Sequence, residues 1–438
     1  MHFKARGRCL KIVIGILLTM LTLSGAADDA REAMKTSWNC IGGNSGHNNY
    51  IQTDYDLDLE NAEVIWKLES KNINEVVSDG ESLFIIYDKP PFFYDAKIES
   101  LDIATGETNW RWNAKERYNG WSIYRMSTFN SKLYYSGNEC LYSFSTTDGT
   151  ISWQIKRPYI NDIYIRFYAP NYMHVDDRRR VICNSCPYIT SIDEDTGDSI
   201  WTSEAMTMEC RSSAVVHENR IFTATGCYMN TLTSAGKVIN TQPVRSKLES
   251  VQPVVCGDYV VMPDCDGLIR YDSKTGDIVS NYSFKGRGYI WNSGYQFALT
   301  EDCVFAKGVF YSSDDSINAD SNIICISHDN EIKWCYNHLY EHHPYWNCPV
   351  VIGNSVYLFG KEVEFTEGTE DTTVTPHITK LSLETGAELA HIALPESYGY
   401  DFKKVPGILH RLYASGYLFV LVDIGEDDVL YCIGVPEK

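Results

Sequence analysis

Helical periodicity is missing from this 438-residue chain beyond its first two dozen residues. That absence excludes folds built on amphipathic helices. No Pro/Gly/Ser-rich linker or composition break divides the sequence, so a length that would otherwise suggest two or three domains is read as one. Neither a Gly-x-Ser-x-Gly nucleophile elbow nor a glycine loop for phosphate is present, which removes the serine hydrolases and the common nucleotide-binding folds. Positive charge is scarce: 38 Lys and Arg face 58 Asp and Glu, for a formal net charge of −20. Nucleic acid and an anionic membrane surface are therefore poor partners, and the acidity serves solubility first.

What the chain does have is a returning phrase. An Asp-rich turn ending in Thr-Gly or Asp-Gly is followed by a strand that often carries Trp, as at 98–112, 142–153, 190–201 and 268–282. Weaker copies start at Thr231, Ile324 and Thr379. The turn residues Gly106, Gly149, Gly197, Gly236, Gly276, Asn330 and Gly386 are 43, 48, 39, 40, 54 and 56 residues apart. Units of about 40–50 residues, each a small set of strands, predict a β-propeller. One such sheet cannot bury both faces alone. Stacked in a ring the blades cover each other, with Trp110, Trp153, Trp201 and Trp334 as fillers between them.

The chain ends set the blade count. Residues 62–70 read as a Trp-bearing last strand without its first three, while the sequence from Val405 supplies three strands without a fourth. An all-β, eight-bladed β-propeller of four-stranded blades follows, its ring closed by an N-terminal strand that completes the C-terminal blade. Such closure leaves no free sheet edge at the seam. The expected organisation is 1–27 signal peptide, 28–61 lead-in and 62–438 propeller.

Residues 1–27 have the form of a secretory signal: Lys4, Arg6, Arg8 and Lys11, then an apolar run from Ile12 to Leu23, then Gly25-Ala26-Ala27. The apolar run is short for a spanning helix. No Cys follows it where a lipoprotein would be acylated, so an exported protein without a membrane anchor is expected, periplasmic or secreted. Cleavage would remove those four cations and move the net charge from −20 to −24. Export permits disulfides among the 14 cysteines. Cys140, Cys183 or Cys186, Cys227 and Cys265 fall near matching turns of successive blades, and Cys303, Cys325 and Cys335 on adjacent strands of the sixth; the pairing stays open. Cys183 and Cys186 share the spacing of a redox dithiol but sit at a strand turn rather than a helix start, which favours a local disulfide or plain thiols.

The connections between blades are crowded with aromatics and arginine, the residue types that anchor interfaces and stack on sugars. The candidate binding face is Trp121, Tyr124, Arg125, Arg166, Tyr168, Arg287, Tyr289, Trp291, Tyr345, Trp346 and Tyr400. His338, His342 and His343 with Glu341 offer metal-ligand chemistry, yet in a strand-to-strand loop they read as surface histidines. The Asp-rich stretches around Asp314 and from Glu364 to Asp371 read as solvated loops.

These Thr-Gly-x-x-x-Trp repeats resemble those of the PQQ-like propellers, and the segment from Ser37 to Ser70 resembles the lead-in of exported bacterial members. The resemblance implies the eight-bladed fold and two function classes. Quinoprotein dehydrogenases hold PQQ and Ca²⁺ over the axis, with an aspartate base and, in alcohol dehydrogenases, a disulfide between adjacent cysteines. Here no two cysteines are adjacent and no Asp matches that base, so neither catalytic residues, a metal nor a cofactor is assigned. The other class is a docking scaffold, like the propeller subunit of the bacterial outer-membrane protein assembly machine, which is usually a lipoprotein. A non-enzymatic module binding a protein is the expectation; a PQQ-dependent oxidoreductase and a glycan-binding propeller are the alternatives.

Overall fold

The computed structural model describes residues 39, 43–44, 49–70, 72–87, 97–113, 125–137, 140–156, 159–160, 163–164, 171–175, 178–185, 188–204, 206, 214–225, 228–244, 253–264, 267–283, 297–309, 321–337, 349–365, 372–395, 398–399, 407–424 and 427–436. They form eight four-stranded antiparallel blades in chain order, at 73–113, 125–156, 171–202, 215–243, 254–283, 297–337, 350–393 and 407–434. Blade eight takes its fourth strand, Glu63–Ser70, from the N-terminal side, paired with Asp428–Gly434 through contacts such as Trp66 opposite Cys432. The ring closes as the repeat pattern predicts.

First strands of neighbouring blades approach one another and line the axis. Because strands alternate in direction, the hairpins joining first to second and third to fourth strands share one face of the ring, here the turn face. Connections between second and third strands, and between blades, share the other, the loop face. Two further elements depart from plain blades. Tyr159–Ile160 and Ile163–Tyr164 form a small hairpin within the connection from blade two to three. The second and third strands of blade seven, Ser355–Phe365 and Thr372–Ser382, run 11 residues each and stay paired to Phe365 opposite Thr372. Glu364 and Phe365 are thus strand, a correction to the loop expected from their acidic neighbourhood; alternating Val363 and Val374 continue the ladder outward.

Blades are fastened by one repeated contact. In each fourth strand the register shifts by one residue, and the position beyond the shift is Trp110, Trp153, Trp201, Trp334 or Trp66. Each indole N–H donates to the carbonyl that follows the third strand of the next blade: Trp110 to Thr146 at 2.8 Å, Trp153 to Glu194 at 2.8 Å, Trp201 to Ser234 at 3.1 Å, Trp334 to Leu383 at 3.0 Å and Trp66 to Ile103 at 3.2 Å. The ring lies flat on the turn glycine of that blade. At Gly149, φ is +71° and a Cβ would stand 2.7 Å from the Trp110 ring, so both the backbone conformation and the close approach exclude a side chain.

Three blades lack that Trp, and other donors replace it. Asn240 of blade four donates its amide to Thr275 O at 3.0 Å and to Asp277 at 2.9 Å. In blade five, where Ser280 holds the Trp position, the residue across the strand is Arg270, and its guanidinium reaches His328 O of blade six. In blade seven the pair is Ala390 and Lys380; the Lys380 ammonium reaches Leu57 O at 2.7 Å and Asp56 at 2.9 Å. Leu57 stands where blade eight, split between the two chain ends, has no turn of its own.

The lead-in does more than precede the closing strand. Asn39 exchanges hydrogen bonds with Thr128 of blade two, accepting its N–H at 2.7 Å and donating its amide to its carbonyl at 2.8 Å. Asn49 donates to Phe297 O of blade six at 2.9 Å, and Tyr50–Ile51 adds a parallel strand to the inner edge of Val350–Ile352 in blade seven. Asn39 N–H bonds Gly43 O, and the amide of the next residue, Asn44, bonds Tyr50 O at 3.1 Å. This short chain of contacts links blade two to blades six and seven across the axis; its ties at Thr128 and Val351–Ile352 lie beside the first hairpins, toward the turn face, while Asn49 reaches Phe297 at the opening of blade six's inner strand.

Two outcomes follow from these contacts. Truncating Trp153 to Ala removes an indole with 8% exposure and its hydrogen bond; a loss of about 3–5 kcal/mol in urea unfolding is expected. Asp56→Ala strands the buried Lys380 ammonium, whereas Asp56→Ala with Lys380→Met removes both charges, so the single variant should have the lower melting temperature of the two.

Candidate binding face

Most of the face expected from sequence, namely Trp121, Tyr124, Arg166, Tyr168, Arg287, Tyr289, Trp291, Tyr345, Trp346 and Tyr400, lies outside the described residues, as do His338, His342, His343, Cys186 and residues 1–38. Arg125 is placed by its backbone as the opening residue of blade two, opposite Ser136. That position puts its Cα at the loop-face end of a first strand.

Around it the structure gathers charged groups that the aromatic pattern did not point to. Glu75, in the first strand of blade one and 2% exposed, accepts the backbone N–H of Met126 at 2.7 Å, beside Arg125. A carboxylate placed there satisfies a donor at the very start of the next blade's inner strand. Asp428 does the same at the seam, accepting Ile73 N–H at 2.7 Å. Burial, opposed by that hydrogen bond and reinforced by the charges of Asp423 and Asp427, raises Asp428 to about 6.

The third carboxylate, Glu99, lies in the third strand of blade one. It is ringed by Arg111 Nε at 2.6 Å, Thr108 Oγ1 at 2.7 Å and Lys97 Nζ at 2.9 Å, and Lys97 sits 4.4 Å from the centre of the Tyr87 ring. Burial pushes Glu99 up, but hydrogen bonds from Lys97, Thr108, Arg111 and Tyr87 outweigh it and hold the carboxyl at about 2. Burial raises the Tyr87 hydroxyl in turn, and Glu99 adds to it. A comparable chain crosses blade seven: Glu362 lies 3.2 Å from His377 Nε2, His377 Nδ1 lies 2.8 Å from His391 Nε2, and His391 Nδ1 lies 2.9 Å from Thr379 Oγ1. Burial and the neighbouring His391 lower the pKa of His377, which favours the neutral ring.

A sequence signal for these groups exists. Glu75 and Glu99 interrupt the apolar runs INEVV and KIESL at positions that face neighbouring blades. A charge at such a position is uncommon unless partnered. What the arrangement can do chemically is hold fixed charge and hydrogen-bond donors at the loop-face rim of blades eight, one and two. Among the described residues no group of three or more His, Cys, Asp or Glu is placed to hold a metal ion. The described thiol of the Cys183-x-x-Cys186 pair is wholly buried and raised by burial, the opposite of an activated redox cysteine. No helix among the described residues is long and apolar enough to cross a membrane.

Eight four-stranded blades, with a Trp of the preceding blade docked on the turn glycine of five of them, make an eight-bladed β-propeller that is similar in fold to the PQQ-like, quinoprotein-type propellers. Comparison with known proteins agrees. Residues 187–330 match the family described as outer membrane protein assembly factor BamB. The quinohemoprotein alcohol dehydrogenase of Comamonas testosteroni is similar over 92% of this chain and 82% of its own, with a TM-score of 0.60 at 11% identity. BamB from Moraxella catarrhalis covers 84% of this chain with 97% of its own, at TM-score 0.51 and 12% identity. The computationally designed Ika8 protein covers 84% of this chain with 99% of its own, at TM-score 0.54 and 10% identity. At these identities the likeness is one of fold. No curated protein matches the sequence.

The Asp428 shift carries a signed outcome. Its folded pKa of about 6 stands above its ordinary 3.8, so the stability tied to this group is greatest below that ordinary value and declines as pH rises through 6. Asp428→Asn keeps an oxygen for Ile73 N–H and removes the buried charge. The variant should melt above wild type at pH 8, with the gap closing toward pH 4.

Proposed function

We propose that this chain is an exported, non-enzymatic propeller that docks a protein on its loop face. The observation that carries this reading is the path of the lead-in. Asn39, Asn49 and Tyr50–Ile51 tie blade two to blades six and seven across the axis, and the ties at Thr128 and Val351–Ile352 lie toward the turn face, which supports approach of a partner from the other side. That side carries the connections rich in Trp, Tyr and Arg, and the rim where Glu75, Glu99, Arg111 and Asp428 are held in place. Fixed charges on a face whose connecting segments are rich in aromatics suit a polar-rimmed protein interface, in which aromatic anchors supply affinity and charges set orientation.

The match of residues 187–330 to an outer membrane assembly factor family supports a docking role of the same kind, and the signal-like first 27 residues support export. A quinoprotein oxidoreductase would place PQQ and Ca²⁺ over the axis on this same face. The docking reading assigns no step to a quinone.

Capture from cell-envelope extracts separates the readings. Mature protein should retain a specific protein partner, a Trp121/Trp291/Trp346 triple alanine variant should lose it, and a turn-face variant, Glu107→Ala with Asp198→Ala, should keep it. Retention by the triple variant together with loss by the turn-face variant would overturn the assignment of the face. Saturable PQQ uptake with turnover of an alcohol, or retention on polysaccharide that depends on Trp121 and Trp291, would overturn the docking function itself.

A further inference from the structure

Blade seven carries a row of side chains that spans three of its strands and that the ring contacts do not use. Register places Thr379 opposite Leu358 and His391, His377 opposite Gly360 and Ala393, and Glu362 opposite Thr375. Alternation puts Thr379, His377 and Thr375 on one face of the third strand. Leu358 belongs to the core shared with blade six, so that face is turned toward blade six. His377 is diagonal to His391 on one side and to Glu362 on the other, with glycine and alanine directly opposite it. Thr379 Oγ1 lies 2.9 Å from His391 Nδ1, His391 Nε2 lies 2.8 Å from His377 Nδ1, and His377 Nε2 lies 3.2 Å from the Glu362 carboxylate. The row stands where the sheet narrows. The ladder between third and fourth strands ends at His377 opposite Ala393, while second and third strands run on to Phe365 opposite Thr372, joined there by Tyr398–Gly399. The imidazoles therefore tie three strands together at the base of a hairpin that continues toward the loop face.

His377 is 5% exposed and Thr379 fully buried, whereas Glu362 is exposed. Glu362 is the charged group against the pair, with Glu364 two residues along the same strand and Glu388 at the other end of the row. Lys361 and Lys380 alternate to the opposite face. From blade six, Tyr336 stands opposite Ile323 and its hydroxyl meets Glu388 at 2.5 Å, and Lys307 is the residue opposite Ile323 on its other side. Cys303 and Cys325 of that core lie toward the turn face. Two imidazole nitrogens 2.8 Å apart need one proton between them. A bare His377 Nε2 would set a lone pair against the Glu362 carboxylate, so His377 carries its proton there and accepts at Nδ1 from His391 Nε2–H. His391 Nδ1 then accepts from the Thr379 hydroxyl. One further proton fits: Thr379 turns its hydroxyl, His391 donates from both nitrogens, and a shift across the 2.8 Å contact carries the charge to His377 beside Glu362. A second does not fit, because both facing nitrogens would be N–H donors on charged rings. Burial, then His391, lower the His377 pKa against the opposing pull of Glu362, which agrees with that resistance.

We propose that His377 and His391 form a single-proton switch: the pair accepts one proton beyond its neutral state, and a second parts the rings and releases the hairpin at 362–365 and 372–375. Unfolded, both rings charge independently. Folded, the pair binds one proton fewer, so acid favours the open form and the strap across the three strands loosens as pH falls below the ordinary histidine range.

The test is urea unfolding of the full chain between pH 7 and 5 for wild type, His377→Gln, His391→Gln and the double variant. Below the ordinary 6.5 the wild-type unfolding constant should rise more steeply than that of the double variant, the excess approaching about tenfold per pH unit. Either single variant should remove the whole excess, because the ring left behind takes its proton without a charged neighbour. Other titrating groups are common to all four proteins and cancel. In wild type alone, hydrogen-exchange protection of peptides covering 362–375, corrected for the intrinsic rate, should fall with pH by a similar factor. Excesses that add between the two single variants overturn the proposal; so does a wild-type slope equal to that of the double variant, or a hairpin equally protected at pH 7 and pH 5.

Discussion

A single carbonyl in each blade, the one that follows the third strand, organises this ring. It cannot be satisfied within its own tight turn, and water is kept from it by the ring of the preceding blade. A donor must come from that neighbour, and around seven of the eight junctions one reaches this carbonyl, or Leu57 in its place: Trp110, Trp153, Trp201, Trp334, Trp66, Arg270 and Lys380. Asn240 serves the remaining junction two residues further along the turn, at Thr275. Indole suits the position because one flat group supplies both the N–H and the apolar area that covers a glycine turn. Where the indole is missing, a long cation from the facing strand makes the same bond with less area and at the cost of burying charge.

Closure follows from the same requirement. Blade eight draws its strands from both chain ends and so has no turn after its third strand. The lead-in fills that gap with Leu57, and Asp56 neutralises the cation that reaches it while also accepting from Ser355 Oγ and Tyr357 OH, each at 2.9 Å. Once residues 56 and 57 are fixed there, the preceding segment has to leave along the inner edge of blade seven. Its attachment to blades two and six then makes the two faces of the ring unequal. A requirement of ring closure thereby bears on where a ligand meets the propeller.

The carboxylates near the seam differ in consequence because their partners differ. Glu99 has two cations and two hydroxyls about it and is an acid held ionised. Asp428 has the backbone N–H groups of Ile73 and Asn72 and two carboxylates near it, and burial dominates. Both lie in third strands of adjacent blades, so the seam pairs a charge that stabilises the fold with one that loads it.

The repeat phrase, its spacing and the split last blade were legible in the sequence, because turn glycines and indoles are required locally and recur with every blade. The ring count and the closing strand follow from them. Placement of Asn39, Asn49, Tyr50 and Asp56 was not legible, since their partners lie between 89 and 301 residues away and nothing in a short polar segment names a distant strand edge. The same holds for Cys303 and Cys325: the sequence puts them on neighbouring strands, but only the register makes them diagonal neighbours on one face of the sheet. Local chemistry, repeated, determined the architecture from sequence alone; which side chains meet across strands and across the axis was decided by tertiary structure, because a shift of one residue in a ladder turns each side chain to the opposite face.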